Sequence, residues 1–145
     1  ASMATGLAIE PRIACLAVIG RANNPLFLRC YTENADELRF HYIVHGALDI
    51  FDERVATQPD PFLGLLYPSV DHRVFGYMTS SRLKLVAVTA DDEVRDAEVR
   101  QVLFQLHRHV VDAISNPFHT PGQPISSPGF DAKARRLVAA VGRAS

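Results

Sequence analysis

The 145-residue chain has almost no net charge, only two cysteines, no closely spaced glycines and no long apolar run. Each shortage removes a class of function. Fifteen Lys and Arg against sixteen Asp and Glu leave −1 at neutral pH, without the concentrated cationic surface that nucleic-acid binding needs to displace counterions. No segment approaches the roughly 20 apolar residues of a membrane-spanning helix. The start of the chain lacks the basic segment, apolar core and cleavage site of a secretory signal. Neither G-x-G-x-x-G nor G-x-x-x-x-G-K-[ST] occurs, so the common backbone cradles for phosphate are missing. Cys15 and Cys30 lie too far apart for a C-x-x-C site, and there is no H-E-x-x-H.

What is there reads as one globular domain. Hydrophobic residues make up 48% and charged residues 21%, close to globular averages, and a chain of about 150 residues buries roughly 68–70% of its unfolded surface. The expectation is a soluble, intracellular domain over residues 12–145. Residues 1–11 are set apart as an N-terminal extension, with Ala1–Ser2 read as additions ahead of a start at Met3. If the segments around the cysteines form a hairpin about Ala22–Asn23, the two thiols face each other. A cross-strand disulfide is then geometrically open, but a reducing cytosol would keep both as thiols.

Ile13–Ile19 and Pro25–Tyr31 are β-rich runs separated by a Gly- and Asn-containing loop, the pattern of a hairpin. A helix follows, with Asn34 or Asp36 as cap and Glu37 at the favourable end of its dipole. Its apolar stripe is Phe40, Ile43, Val44, Ala47, Phe51 and Val55, and Pro59 and Pro61 end the pattern. Phe62–Tyr67 is almost continuously apolar, which predicts an interior strand covered on both faces. Val74–Thr79 and Leu83–Thr89 form a second hairpin about Ser80-Ser81-Arg82. A second helix is expected to begin near Asp91–Glu93 and to bury Val99, Val102, Leu103, Leu106, Val110, Ala113 and Ile114, stopping at Asn116-Pro117. Pro117–Pro128 reads as an ordered or semi-rigid loop, in which Phe118 is expected to pack into the domain, with an exposed partner anchor as the alternative. Ser127-Pro128 starts a third helix carrying Phe130, Ala134, Leu137, Val138 and Val141. The order ββαβββαα, with helices for both faces, gives an α+β fold on an antiparallel-rich sheet.

Few residues suggest chemistry. His41, His45 and Asp49 share one helical face, but positions 41 and 49 stand about 12 Å apart along the axis, too far to share one zinc ion with ligands about 2 Å away. His107 and His109 point to different sides of their helix. Asp91, Asp92, Glu93 and Asp96 read as helix-start acids. Lys133, Arg135, Arg136 and Arg143 are not concentrated on one face and read as a solvated surface rather than a lipid-binding one. No nucleophile elbow is present. No catalytic residue, cofactor or metal is expected.

The chain resembles the sedlin-type subunits of TRAPP vesicle-tethering complexes, in particular the subunit 2-like branch. The resemblance runs from about Ile13 to Val141. It rests on Asn24-Pro25-Leu26-Phe27-Leu28-Arg29, on Phe40-His41-Tyr42-Ile43-Val44-His45 continuing to Leu48-Asp49, and on Phe62-Leu63-Gly64-Leu65-Leu66-Tyr67-Pro68. It also rests on Val74-Phe75-Gly76-Tyr77, Val94-Arg95-Asp96 and Asn116-Pro117-Phe118-His119-x-Pro121-Gly122. It implies a longin, or SNARE-like, fold: a five-stranded sheet with one helix on one face and two on the other. The short Arg54–Pro61 connection departs from the family pattern. The implied role is a non-catalytic adaptor in ER-to-Golgi and intra-Golgi transport. Such a subunit sits beside a small α-rich core subunit, helps recruit larger ones and supports an assembly that promotes nucleotide exchange on a Rab GTPase. The implied location is cytoplasmic, on ER and Golgi membranes only through the complex. The alternative is a stand-alone longin-like binding domain for a SNARE or another trafficking factor.

The first helix carries the candidate partner-binding residues His41, His45 and Asp49, because its core stripe turns them away from the sheet. The resemblance points to the same place. The alternative there is an ordinary solvated face with a His45–Asp49 pair worth only about 0.2–0.5 kcal/mol.

Overall fold

In the computed structural model, which describes residues 12–31, 37–57, 59–68, 72–90 and 94–142, every residue of Ile13–Ile19 and of Lys84–Thr89 is buried. Strands buried on both faces belong at the middle of a sheet that is itself covered on both sides. The element order follows the sequence pattern: β1 (Ile13–Ile19), β2 (Pro25–Cys30), α1 (Glu37–Thr57), β3 (Phe62–Pro68), β4 (Arg73–Met78), β5 (Lys84–Thr89), α2 (Asp96–Ile114) and α3 (Pro128–Gly142). The strands form one five-stranded antiparallel sheet in the order β2-β1-β5-β4-β3. Two separate cores result. α1 covers one face with Phe40, Ile43, Val44, Ala47, Leu48 and Phe51. α2 and α3 cover the other, with Val99, Leu103, Leu106, Phe130, Ala134 and Val138. This is the α+β longin-like arrangement.

Both hairpins turn within the expected loops. Asn23 (φ 62°) and Arg82 (φ 72°) take the left-handed conformation, which Asn adopts more readily than most residues. Buried Lys84 reaches across from β5, and its Nζ donates to Asn23 Oδ1 at 2.6 Å. Phe51 of α1 sits over β4 at Gly76, where a Cβ would stand only 2.9 Å from the Phe51 ring. Glycine is what lets the helix come that close.

Two expectations are corrected. Phe62–Tyr67 is not an interior strand: β3 lies at the edge of the sheet. Its faces are nonetheless both covered, Phe62 and Leu65 on the α2–α3 side, Leu63 and Leu66 on the α1 side. An apolar run reports cover above and below the sheet, not neighbours within it. Gly64 (φ 75°) lies at the register shift that lets successive leucines serve both faces. The open edge is blunted by Arg54 of α1, whose guanidinium donates to the Leu63 carbonyl at 3.2 Å.

The second correction is the start of α2. Asp91–Glu93 and the proposed caps Asn34 and Asp36 lie outside the described residues, as do residues 1–11 and Arg143. α2 itself begins at Asp96. Arg95 is extended (φ −82°, ψ 151°). Its backbone N–H donates to Glu98 Oε1 at 3.2 Å, while the Glu98 N–H donates back to the Arg95 carbonyl at 3.0 Å. Val94 and Val99 flank this cap and are both buried in the same core, the hydrophobic staple that fixes where a helix enters.

Cys15 and Cys30 are register partners across β1 and β2 and are not joined by a disulfide. Hydrogen bonding to Cys30, then burial, push the Cys15 thiol far above its ordinary range, so it stays protonated and is a poor nucleophile. Protein prepared under non-reducing, alkylating conditions and then unfolded is expected to show two free thiols. A count of none, with a mass lower by two hydrogens, would contradict this.

Candidate functional site

At about 100° per residue, the side of α1 opposite Phe40, Ala47 and Phe51 is occupied by Leu38, Tyr42, His45 and Asp49. All four are exposed. Leu38 is 64% and Tyr42 72% accessible, and the stripe from Leu38 to Asp49 is about 16 Å long. His45 and Asp49 therefore lie where the sequence places them. His41 sits on the flank instead, half-buried, with Nε2 3.9 Å from Glu37 Oε1. That pair, rather than one between His45 and Asp49, is the His–carboxylate contact on this helix among the described residues.

Leu38 and Tyr42 were not singled out by sequence. The signal was available: two large apolar residues at positions 38 and 42 continue the spacing of His45 and Asp49 on the face that should be polar. Scattered single hydrophobics on a surface are ordinary. Two in one stripe of one helix, beside an aspartate, form a continuous exposed patch.

Two hydrogen bonds tie the helix that carries this face to the sheet. Tyr67 of β3 donates its hydroxyl to the Ile43 carbonyl at 2.6 Å, and Arg54 binds the β3 backbone further along. Chemistry at the face is limited. Among the described residues no group of three His, Cys, Asp or Glu is placed to hold a metal ion. His107 and His109 diverge as expected, His107 lying 5.7 Å from the Tyr77 ring. No helix of the described residues is long and apolar enough to cross a membrane.

A second exposed aromatic lies at one end of the sheet. Phe118 is 93% accessible, so the expectation that it packs into the domain is wrong. Other groups pin its loop. Buried Ile125 lies in the α2–α3 core and donates its N–H to the Leu26 carbonyl of β2 at 2.8 Å. Asn24 Nδ2 donates to the Gly122 carbonyl at 2.9 Å, and the Phe118 N–H donates to Asn116 Oδ1 at 2.9 Å. The loop is therefore ordered while its phenylalanine projects into solvent, and two segments distant in sequence, around Asn24 and around Gly122, meet at this corner.

The chain is similar to known proteins along most of its length. The model of the family described as Sedlin matches residues 18–140. The chain is 41% identical over 126 residues to the trafficking protein particle complex subunit 2-like protein of Xenopus tropicalis, covering 81% of this chain and 90% of that one. The rat protein of the same name is 39% identical over 136 residues, covering 88% and 97%. The Bos taurus protein is 42% identical over 127 residues, covering 81% and 90%.

Truncating a buried Phe to Ala costs about 3–5 kcal/mol, whereas an exposed substitution stays within about 0.5 kcal/mol. Phe118→Ala is accordingly expected to leave the denaturant midpoint and its slope unchanged. A loss in the larger range would mean that the ring is buried.

Proposed function

The chain belongs to the sedlin family, and on that premise we propose that it is a non-catalytic adaptor subunit of a TRAPP-type vesicle-tethering complex. The observation that carries the proposal is the similarity along most of both chains to proteins named as subunits of the trafficking protein particle complex. The geometry supports it. The exposed stripe Leu38, Tyr42, His45 and Asp49 offers a rigid surface with an apolar half and an acidic residue, as an interface requires, and no convergent set of buried polar groups for catalysis is present among the described residues. None of the names reported for these relatives speaks of a SNARE, so the stand-alone SNARE-binding reading is not carried forward.

In this reading the subunit works in ER-to-Golgi and intra-Golgi transport, is cytoplasmic, and meets those membranes only through the complex. A small α-rich core subunit is one neighbour and larger recruited subunits are others. The domain holds together an assembly that promotes nucleotide exchange on a Rab GTPase without performing the exchange. The α1 face is the proposed contact: Tyr42 supplies the buried anchor that interfaces favour, and His45 and Asp49 set orientation at its edge.

Asp49→Tyr tests the face directly. The residue is exposed, so folding stability should shift by no more than about 0.5 kcal/mol. A central interface residue can cost 2 kcal/mol or more in binding, about thirtyfold in affinity. The variant is expected to melt like the parent and to lose co-purification of at least one complex subunit from cells. Full recovery of every subunit would sink the interface assignment, and gross unfolding would mean that Asp49 faces the core.

A further inference from the structure

The outer seam between α2 and α3 remains without a role, and its two ends differ in chemistry. The helices run antiparallel, since residues early in α2 meet residues late in α3. There, Ala97, Gln101 and Gln105 face Leu137, Ala140 and Val141 across a shallow, mainly apolar groove of about 330 Å³. The groove's one carboxylate, Glu98, is already engaged by the backbone N–H and the guanidinium of Arg95.

One turn further along both helices the character changes. His109 follows Gln105 by four residues and Lys133 precedes Leu137 by four, which puts each on the same side of its helix as its groove neighbour. Arg108, Lys133 and Arg136 lie within electrostatic reach of the His109 ring, with Asp112 as the one acid acting on it. Burial first, and then Lys133, hold the His109 imidazole below its usual range, with Arg108 and Arg136 adding to the effect and Asp112 opposing it. Among the described residues none of these three cations has an ion-pair partner. The pairs that α3 does make, Asp131 with Arg29 at 3.1 Å and with Arg135 at 3.9 Å, lie on its other flank. The basic residues of α3 thus divide: Arg135 shares Asp131 with Arg29, while Lys133 and Arg136 lie toward the seam with no ion-pair partner among the described residues.

We propose that this seam is a docking site for a helical segment of a partner protein, apolar along one stripe and acidic at one end. From Ala97 to Asp112 the seam is about 22 Å long, which fits roughly four helical turns. A helix laid in a groove is read through apolar anchors at three- and four-residue spacing, and the concave half of the seam supplies the receiving surface. The cationic end fixes polarity, since charge complementarity governs orientation and encounter more than raw affinity. A flat anionic bilayer fits less well, because the apolar residues beside the cations form a groove rather than a ridge. The proposal rests on reading the chain as an assembly subunit but is independent of the α1 face.

The test is site-specific photo-crosslinking of the full chain in living cells, with p-benzoylphenylalanine replacing exposed Gln101 and irradiation before lysis. Mass spectrometry is expected to map the adduct to one segment of another protein, apolar at helical spacing and carrying two or more Asp or Glu within a turn of one end. Lys133→Glu with Arg136→Glu should lower the adduct yield at least tenfold at unchanged melting temperature, and the double Gln variant should lower it by less. Absence of an adduct, an adduct on lipid or on a second copy of this chain, a target segment without acids, or a yield indifferent to charge reversal would each overturn the proposal. Asp49→Tyr should leave this adduct intact while reducing subunit co-purification, which separates failure here from failure of the α1 assignment.

Discussion

β1 and β5 have no solvent-facing side. With every residue of both strands buried, the sheet is stable only while helices cover both its faces, and each lost cover would expose a row of Val, Leu and Ile at about 25 cal/mol per Å². Among the described residues α1 is the helix that covers one face, so a tilt or slide of it would open that core. Phe51 over Gly76, the Tyr67 hydroxyl on the Ile43 carbonyl and Arg54 on the β3 backbone hold it in register. The inner stripe of α1 is committed to the sheet. Its outer stripe is left exposed to solvent.

The same constraint shapes the other layer. α2 and α3 share the second face and must pack on each other as well as on the sheet, which leaves a seam pointing outward. The edges of the sheet are occupied too: Arg54 takes a carbonyl of β3, and the loop through Ile125 takes one of β2. Among the described residues a domain built this way presents helix faces, a seam and an ordered loop tip to solvent.

Much of the fold was legible because period and position agree. The β-rich apolar runs and the three-to-four-residue helical stripes identify the eight elements of the described residues, and Ser127-Pro128 marks the start of α3, where the Phe130 N–H approaches Ser127 Oγ at 3.4 Å. The misreadings have physical causes. The apolar run of β3 carries no information about in-plane neighbours. The acids at 91–93 resemble a helix start, but the boundary belongs to Arg95, Glu98 and the Val94–Val99 staple, a longer-range agreement than charge alone. Phe118 looked like a loop anchor because aromatics usually are; Ile125 does that work. The candidate face was half legible. His45 and Asp49 follow from the core stripe, whereas His41 turned out to lie on the flank beside Glu37. Leu38 and Tyr42 were passed over because an apolar residue in sequence gives no sign by itself of whether it is buried.

The central claim is that the outer stripe of α1 is covered when the chain is in its assembly. Hydroxyl-radical footprinting of the isolated chain and of the same chain within its purified complex measures this residue by residue. Tyr42, at 72% accessibility, is expected to be oxidised readily in the free chain and at least fivefold more slowly in the complex, while fully buried Phe75 stays unreactive in both. Equal oxidation of Tyr42 in the two states would contradict the account.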